Sequence, residues 1–261
     1  MGGSVRVEKQ GELGWLVFDH QERRNAISIE MWHGIPQAVQ QLDEDPEVRV
    51  IVARGAGEVA FVSGADISEF GAQRSGAKAA ADYDRTTGRA FGALAACRTP
   101  LLAMIHGFCV GGGMATALAA DLRYCADDAV FAIPAARLGL GYQAAGIEAL
   151  VALVGPSTAK EIFFTARRYR AEEALRLGLV NAVFPKAELE ARVRDRALQI
   201  ASNAPLTVRS VKRIVRELAQ EPSRRDHEAV ADSIRRCFES RDYQEGIRAF
   251  LEKRQPRFEG K

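Results

Sequence analysis

The sequence predicts an α/β protein that ends in a helical module, and three observations indicate this. Short apolar segments typical of buried strands alternate with helical segments up to about residue 200. Beyond that point only amphipathic helical patterns remain. No exact repeat or low-complexity tract interrupts the 261 residues, which are enough for a substantial buried core. We therefore expect a core over residues 1–200 and a C-terminal helical module over residues 201–261.

The first half of the chain predicts strands separated by helices. Ser28 is expected to cap a helix that runs to about Leu42 and is kinked by Pro36. An Ala-rich helix is expected from about 77 to 97, and another helix after Gly113. Apolar runs predict strands at 13–20, 48–55, 101–106, 122–125 and 130–132.

The second half predicts mainly helices. From Ile147 onward the pattern is helical, and residues 171–185 predict a short helix stopped by Gly178 and then a strand ended by Pro185. Residues 206–220 and 233–254 each predict one amphipathic helix. The apolar sides of these last two helices need a surface to cover them.

Charge and composition exclude several function classes. The 36 basic and 34 acidic residues nearly cancel, leaving a formal charge of +2. Nucleic-acid-binding proteins carry clustered excess basic charge, whereas arginine pairs near this C-terminus, such as Arg235 and Arg236, alternate with acids as on a solvated helix face. We expect no nucleic-acid partner.

Cysteines, histidines and apolar runs predict a cytoplasmic protein without a metal. The four cysteines and four histidines are scattered, with no C-x-x-C or H-x-x-x-H spacing. Residues 101–120 contain no formal charge and match a membrane span in length. Four glycines fall within that run, however, and each costs a helix roughly 1 kcal/mol relative to alanine. A buried strand, a glycine turn and a buried helix explain the run better than a membrane segment does.

Two small-residue turns are candidates for a site that binds a carbonyl oxygen. Gly111, Gly112 and Gly113 follow one predicted strand and open a helix, and Gly64-Ala65 follows another strand in "FVSGADISEF" (61–70). Glycine lets a backbone N–H approach a ligand closely, and the start of a helix favours negative charge. A Walker-type phosphate loop is excluded because no lysine follows at the required place. A dinucleotide fingerprint remains a weak alternative, and a purely structural role for each turn is the other.

Five segments together resemble the enoyl-CoA hydratase/isomerase (crotonase) superfamily over nearly the whole chain. F-x-S-G-A-D-I followed some forty residues later by G-x-x-x-G-G-G is the most specific part of the resemblance. The matching segments are "RRNAIS" (23–28), "DEDPEVRVIVARGAGEVAFVSGADISEF" (43–70), "TPLLAMIHGFCVGGGMATALAADLRYCADDAVF" (99–131), "AEEALRLGLVNAVFP" (171–185) and "EGIRAFLEKRQPRF" (245–258).

The resemblance implies a spiral of ββα turns with C-terminal helices used for trimerisation, in a homotrimer or a dimer of trimers. It implies an acyl-CoA thioester as substrate, with coenzyme A entering only as part of that substrate. The thioester oxygen would lie between the N–H groups of Ala65 and Gly112, where an enolate is stabilised. Expected contacts to coenzyme A are Arg24, Ala26, Ile27, Ser63, Ala65, Asp66, Ile67, Gly112 and Lys253. For the basic residues among them, simple surface charge is the alternative.

The chain departs from the family where hydration needs two glutamates. Those positions hold Ala115, two residues after the triple glycine, and Ala135, after the proline of "FAIP". Relatives that place the working acid farther along would use the loop 138–150, where this chain has Tyr142, Gln143 and Glu148. Gln143 cannot act as a base, whereas Tyr142 can donate a proton. Glu148 is either a catalytic carboxylate or an acid favoured by the start of a helix.

Further polar residues near these motifs keep open assignments. Arg137 either pairs with a substrate carboxylate or binds an internal acid, and Thr116 is expected to point into helix packing. Tyr83, Asp84 and Arg85 are outside candidates on the helix that covers the acyl pocket in the family.

Three functions fit this pattern. The first is an acyl-CoA enzyme that forms an enolate without the usual glutamates, such as an isomerase, a decarboxylase or a C–C lyase. The second is a hydratase whose acid/base groups have moved to Tyr142 or Glu148. The third is an acyl-CoA-binding protein without catalytic activity.

Overall fold

The computed structural model describes residues 2–69, 76–142 and 144–261. Ten strands lie in these ranges: β1 Ser4–Gln10, β2 Leu13–Asp19, β3 Val50–Gly55, β4 Ala60–Val62, β5 Leu101–Ile105, β6 Phe108–Val110, β7 Leu122–Ala126, β8 Val130–Ala132, β9 Tyr169–Arg170 and β10 Ala182–Phe184. The α-helices are α1 Ile29–Glu44, α2 Ala77–Ala96, α3 Gly112–Leu118, α4 Ala135–Leu138, α5 Ala144–Thr165, α6 Ala171–Arg176, α7 Leu189–Ala201, α8 Pro205–Leu218, α9 His227–Phe238 and α10 Arg241–Leu251. The predicted α/β class is confirmed.

The strands form two sheets, and the chain passes repeatedly from one sheet to the other. One sheet has the order β1-β2-β3-β5-β7-β10 and is parallel except for the antiparallel β1–β2 pair. The other has the order β4-β6-β8-β9, with β4, β6 and β8 parallel. From β3 to β8, consecutive strands alternate between the sheets. This alternation stacks successive turns of chain along two walls, as the predicted spiral requires.

The central strands β2, β3, β5 and β7 of the larger sheet are largely buried on both faces, which explains why they appear in the sequence as continuous apolar runs. On β2, Leu16 and Phe18 pack on one face, in a cluster that includes residues of α1 and α2. Trp15 and Val17 pack on the opposite face, in a cluster that includes residues of α7. The alternation follows from the two-residue period of a strand.

Helix α1 is the element that joins the candidate site to the far end of the core. The hydroxyl of Ser28 accepts a hydrogen bond from the amide of Met31, so the predicted N-cap is confirmed. The helix buries an apolar stripe formed by Met31, Trp32, Ile35, Ala38, Val39 and Leu42. Helices α1 and α2 pack together, and Trp32 near the start of α1 contacts both Tyr83 of α2 and the Gly112 turn.

Two predictions about elements were incomplete or wrong. Strand β1 was not predicted, because "SVRVEKQ" has only two apolar residues and pairs as a half-exposed edge strand. The segment 233–254 is two helices rather than one. Ser240 interrupts it, and its hydroxyl accepts from the amide of Tyr243 to begin α10.

The C-terminal helices leave apolar side chains in solvent. Large apolar residues of α8, α9 and α10 that are exposed in the single chain include Val211, Val215, Leu218, Ile234, Phe238, Ile247, Phe250 and Leu251. Helix α7 ends at Ala201 and α8 begins at Pro205, close to the expected boundary at residue 200. The division into two units stays a prediction.

None of the helices in the described ranges is long and apolar enough to span a membrane. Residues 101–120 instead form β5, β6 and α3; the strand at 101–106 and the helix after the glycines were predicted, whereas β6 was not. The cytoplasmic location stays a prediction.

Candidate active site

The glycine triplet is required because α3 begins directly against strand β4. A β-carbon on Gly113 would lie 2.1 Å from the carbonyl oxygen of Val62, which excludes any larger residue. Gly111 has a φ of 53° and donates its N–H to the carbonyl of Ala132. The bare backbone therefore allows α3 to start beside the end of β4, where the second small-residue turn lies.

That second turn is held by a short bridge to the segment before α1. Ile27 N–H donates to the carbonyl of Gly64 over 2.8 Å, and Asp66 N–H donates to the carbonyl of Ile27 over 3.0 Å. Ile27 and Ala65 are thus partners in an isolated parallel bridge. In such a bridge the N–H of the middle residue, Ala65, points away from its partner.

The amides of Ala65 and Gly112 lie side by side. A β-carbon on Gly112 would be 3.5 Å from the Ala65 nitrogen. Within the described part of the chain, neither N–H donates to an acceptor. Two unpaired, rigidly held donors at adjacent turns are suited to bind one oxygen atom of a ligand.

Trp32 forms the wall beside these amides, a role that its position in the sequence did not predict. Its Cζ2 atom would be 3.2 Å from a β-carbon on Gly112. Its indole Nε1 donates to the hydroxyl of Tyr83 over 3.1 Å, and its ring meets Phe91 edge-on at 5.1 Å. The apolar periodicity of α1 indicates only a core position for Trp32. Its place one turn after the Ser28 cap is the sequence signal that could have pointed to the site.

Alanine occupies both positions where carboxylates are expected. Ala115 lies three residues after Gly112 on α3, so the two positions share a helix face. Ala135 begins α4, and both alanines are buried. Thr116 donates its hydroxyl to the Gly112 carbonyl over 2.9 Å, which fits its expected role in helix packing. The methyl side chains of Ala115 and Ala135 cannot transfer a proton.

Tyr142 is largely enclosed by apolar groups. Its ring meets Phe163 edge-on at 4.9 Å and lies directly over Gly146. Burial raises the pKa of the Tyr142 phenol to about 12, because the enclosed phenolate would be poorly solvated. The phenol is therefore protonated at neutral pH, and it is available as a hydrogen-bond or proton donor rather than as a base.

The other candidates in this loop have exposed side chains. Glu148 is exposed and forms no hydrogen bond or ion pair with any described residue. It is the fifth residue of α5, beyond the first turn to which the helix dipole effect is largely confined, so the dipole explanation is weak. Arg137 is also exposed, and it has no ion pair to an internal acid among the described groups. Gln143 lies outside the described residues.

The segment "RRNAIS" is fixed by Asn25, whose role the sequence did not indicate. The buried amide of Asn25 donates to the carbonyls of Ala56 and Ala60 over 3.0 and 2.8 Å. Arg24 adopts a φ of 51° and its guanidinium lies 5.0 Å from the centre of the Phe108 ring. Ala26 and Ile27 are buried, so their side chains are not available to a ligand. Arg24 and Arg23 both keep exposed charged groups here, and Arg23 lies 3.7 Å from the Asp66 carboxylate.

Ser63 and Asp66 hold the turn in shape. The Ser63 hydroxyl donates to the carbonyl of Arg23, and Asp66 accepts from the amide and hydroxyl of Ser68. Burial alone raises the pKa of Asp66, but these two hydrogen bonds and the nearby Arg23 outweigh it and hold the pKa below its usual value. Ile67, by contrast, has 58% of its surface exposed and could pack against a bound ligand.

The remaining candidates lie on other elements, on helix α2 and after helix α10. Lys253 follows α10 in the C-terminal module, is exposed, and has no ion pair with the residues described. Arg85 pairs with Asp82, and Asp84 also has an interaction partner. Of the outside candidates, only Tyr83 contacts Trp32 and hence the wall of the site.

The two-sheet fold and its paired glycine turns first define the class, a crotonase-type α/β protein. A solved enoyl-CoA hydratase/carnithine racemase from Magnetospirillum magneticum superposes with a TM-score of 0.94 at 32% identity, covering 98% of this chain and 96% of that one. A putative enoyl-CoA hydratase/isomerase family protein from Hyphomonas neptunium superposes with a TM-score of 0.93 at 36% identity, covering 97% of each chain.

The chain belongs to the enoyl-CoA hydratase/isomerase family, whose model matches residues 8–261. It is 34% identical to crotonyl-CoA hydratase of Syntrophomonas wolfei over 255 residues, covering 98% of this chain and 97% of that protein. It is 32% identical to carnitinyl-CoA dehydratase of Salmonella heidelberg over the full length of both. The family acts on acyl-CoA thioesters, and this chain is an acyl-CoA-processing member of it.

Proposed function

We propose that this protein binds an acyl-CoA thioester with its carbonyl oxygen between the N–H groups of Ala65 and Gly112. The reaction runs through an enolate that these donors stabilise, and it is an isomerisation, a decarboxylation or a C–C bond cleavage. The adjacent placement of the two unpaired amides is the observation that supports this most directly.

The missing carboxylates at positions 115 and 135 determine which enolate reaction the site can support. Hydration needs one group to activate water and one to deliver a proton, and neither Ala115 nor Ala135 can do so. In decarboxylation the electron pair of the breaking C–C bond passes into the thioester, CO₂ leaves, and the enolate then takes one proton at its α-carbon. Only a proton donor is needed. A protonated Tyr142 matches that requirement.

Arg137 adds support for a substrate with a second carboxylate. Its guanidinium is exposed and unpaired among the described residues, two positions after Ala135. Pro134, which precedes that helix, would lie 4.0 Å from a β-carbon on Gly111. A malonyl-type thioester, which loses CO₂, is therefore the substrate class to test first for decarboxylation.

The test is incubation of the purified protein with crotonyl-CoA, and separately with malonyl-CoA and methylmalonyl-CoA, in deuterated water. Mass spectrometry follows each thioester. We expect carbon-bound deuterium after loss of CO₂ from the diacid thioesters, whereas deuterium exchange into crotonyl-CoA would indicate isomerisation, in which a base such as Glu148 takes the proton that leaves carbon to form the dienolate. Thioesters that bind but neither exchange nor decarboxylate would contradict the proposal.

Two glycine variants assign the reaction to the paired amides. Gly112→Ala places a methyl group between the donors, close to Trp32, and should lower the rate roughly 10²- to 10³-fold. Gly88→Ala is the matched control. Gly88 is exposed on α2, and a β-carbon added there would meet no atom within 4 Å. Equal rates for the two variants would show that the oxygen is held elsewhere.

Hydration is the second candidate, because the named relatives are a crotonyl-CoA hydratase and a carnitinyl-CoA dehydratase. The same crotonyl-CoA experiment separates it, since hydration adds a whole water to the thioester. Tyr142→Phe and Glu148→Gln then show which side chain supplies the proton chemistry. Loss of water addition in one variant only would identify the relocated group.

The third candidate is acyl-CoA binding without catalysis. The double variant Ala115→Glu/Ala135→Glu restores the two carboxylates. Hydration that appears only in this variant would show that the thioester site is intact and that the acid/base pair alone is missing.

A further inference from the structure

A basic groove lies between the C-terminal module and the core, away from the paired amides. We use "basic groove" for the cavity of about 160 Å³ bordered by the end of α2 and by α8 and α9. Its lining has no acidic residue and six cationic ones: Arg98, Arg209, Lys212, Arg213, Arg216 and Arg236. The whole chain has a formal charge of only +2, so this concentration of positive charge is local.

Two of the six cations are neutralised by acids outside the groove. Arg98 forms an ion pair with Asp43 at 3.1 Å, and Lys212 forms one with Asp121 at 2.7 Å. The other four side chains have no ion pair with the described residues, and they are Arg209, Arg213, Arg216 and Arg236. Four positive charges around this small cavity are therefore uncompensated.

The acidic residue carried by α8, Glu217, does not compensate them. Glu217 is buried, and its carboxylate accepts hydrogen bonds from the amide of Asp226 and the side chain of Gln220. Arg209 reaches only the hydroxyl of Thr99, at 3.5 Å. Four guanidinium groups therefore present donors to the cavity without a protein acceptor of matching charge.

The groove uses the face of α8 opposite to the exposed apolar stripe. At about 100° per residue, Arg209, Arg213 and Arg216 lie on one side of the helix, and Val211 and Val215 lie on the other. A partner that covers the apolar side would leave the basic side facing the core. The basic charge is therefore distinct from the surface that oligomerisation would bury.

The groove is also remote from the turns of the candidate active site. Helix α1 starts at the bridge beside Ala65 and carries Asp43, the partner of Arg98, near its other end. Fifteen residues of helix between Ser28 and Asp43 span about 22 Å. An anion in the groove would therefore lie far from a thioester carbonyl at Gly112.

We propose that the basic groove is a second binding site, for a phosphate or polyphosphate anion. Guanidinium groups bind phosphate oxygens bidentately, and several arginines that converge on one cavity favour a ligand with more than one negative charge. The Ser210 hydroxyl donates to Ser233 Oγ over 2.9 Å, because the Ser233 hydroxyl itself donates to the Val230 carbonyl, so the arginines are the available donors at the groove wall. The anion offsets the mutual repulsion of four cations and links α8 and α9 to the core.

Isothermal titration calorimetry of the full-length protein with inorganic pyrophosphate, repeated with ADP, tests this site. We expect saturable binding of pyrophosphate to one site per chain, weakened about tenfold in Arg213→Gln through loss of a charge-assisted hydrogen bond. Arg196→Gln is the matched control, since it removes the same charge from exposed α7 outside the groove. We expect that control to change the affinity less than twofold.

Four outcomes are decisive. Pyrophosphate and ADP binding that both weaken in Arg213→Gln identifies the site as open to nucleotide phosphates, and weakening for pyrophosphate alone identifies it as a free phosphate site. A heat of binding that does not saturate overturns the proposal, and so does an affinity for pyrophosphate that is equal in Arg213→Gln and Arg196→Gln. A change of oligomeric mass in Arg213→Gln without any pyrophosphate binding would instead assign the four arginines to a second copy of the chain. The result is read from the difference between Arg213→Gln and Arg196→Gln, neither of which lies at the expected coenzyme A contacts, so it is independent of the proposed reaction.

Discussion

Trp32 determines how much room is left beside the Gly112 amide. Its ring is buried, touches the glycine turn, and is oriented by a hydrogen bond to Tyr83 and an edge contact with Phe91. With small residues at positions 115 and 135, an indole rather than a carboxylate borders the paired donors. The site is thus rich in aromatic surface and poor in groups that exchange protons.

Tyr83→Phe tests whether this orientation is held by the hydrogen bond. The change leaves the buried indole N–H of Trp32 without its acceptor, which costs about 1–3 kcal/mol. Urea denaturation should show that loss in the free energy of unfolding. Tyr243→Phe serves as the control, because it removes the hydroxyl of a residue that is 46% exposed. We expect its free energy of unfolding to change by no more than about 0.5 kcal/mol. Similar losses in both variants would mean that the Trp32 contact contributes nothing.

The raised pKa of Tyr142 gives a prediction about alkaline pH. Its folded value is about 12 against an ordinary value of 10.0. The protonated phenol is the favoured form in the folded protein, so its contribution is fully present below pH 10 and is lost as pH rises toward 12. Ultraviolet titration should give the same tyrosinate absorbance for the wild type and Tyr142→Phe up to about pH 11. Above that pH the wild type should show additional tyrosinate. A difference between the two that titrates near pH 10 would contradict the enclosed position.

Among the elements, α1 connects the site to the start of β5 through Asp43. Its carboxylate accepts from the amide of Thr99 over 2.7 Å, from the amide of Arg98 over 3.0 Å, and from the Arg98 guanidinium over 3.1 Å. Burial alone raises the pKa of Asp43, but these hydrogen bonds outweigh it and lower the pKa to about 2. The ionised form is therefore favoured in the folded state.

Asp43→Asn should change how stability responds to acid. A depressed folded pKa adds stability above the unfolded value of 3.8, and this is lost as pH falls through the folded value of about 2. The shift corresponds to stability on the order of 2 kcal/mol. Urea denaturation at several pH values between 6 and 2 should show that the free energy of unfolding falls less steeply with pH in Asp43→Asn than in the wild type. Asp195→Asn, an exposed carboxylate without an ion pair in the described chain, should follow the wild-type curve.

Periodicity predicted most elements of the core because burial on both faces leaves a strong pattern. Strands β2, β3, β5, β7 and β8 and helices α1 and α2 lie within a few residues of their predicted positions. Strand β1 escaped prediction because its burial depends on pairing with β2, a contact that alternating polar residues do not reveal. The break at Ser240 was missed because the apolar stripe continues through it, although serine is a strong N-cap residue.

At the scale of the whole molecule, backbone features of the site were easier to predict than side chains. The turns at Gly64-Ala65 and Gly111–Gly113 were identified from small residues between strands and helices, since only such residues permit the close approach at Val62. Trp32, Asn25 and the basic groove depend on contacts between segments far apart in sequence. Arg236 illustrates the difference: it is exposed, as the predicted solvated helix face requires, but only the fold shows that it lies beside the cations of α8.

The exposed apolar side chains of α8, α9 and α10 carry the last prediction, about assembly. Phe250 is 83% exposed and Val215 61% exposed in the single chain, and apolar surface gathered on neighbouring helices favours association with another copy. We expect a homotrimer or a dimer of trimers, so light scattering after size exclusion should give three or six times the mass of one chain. Phe250→Asp should lower that mass, because it would bury an unpaired charge in the contact. Gln255→Asp adds the same charge at an exposed polar position nearby and should leave the mass unchanged. A wild-type protein that elutes as a monomer would mean that these helices cover their apolar faces in another way.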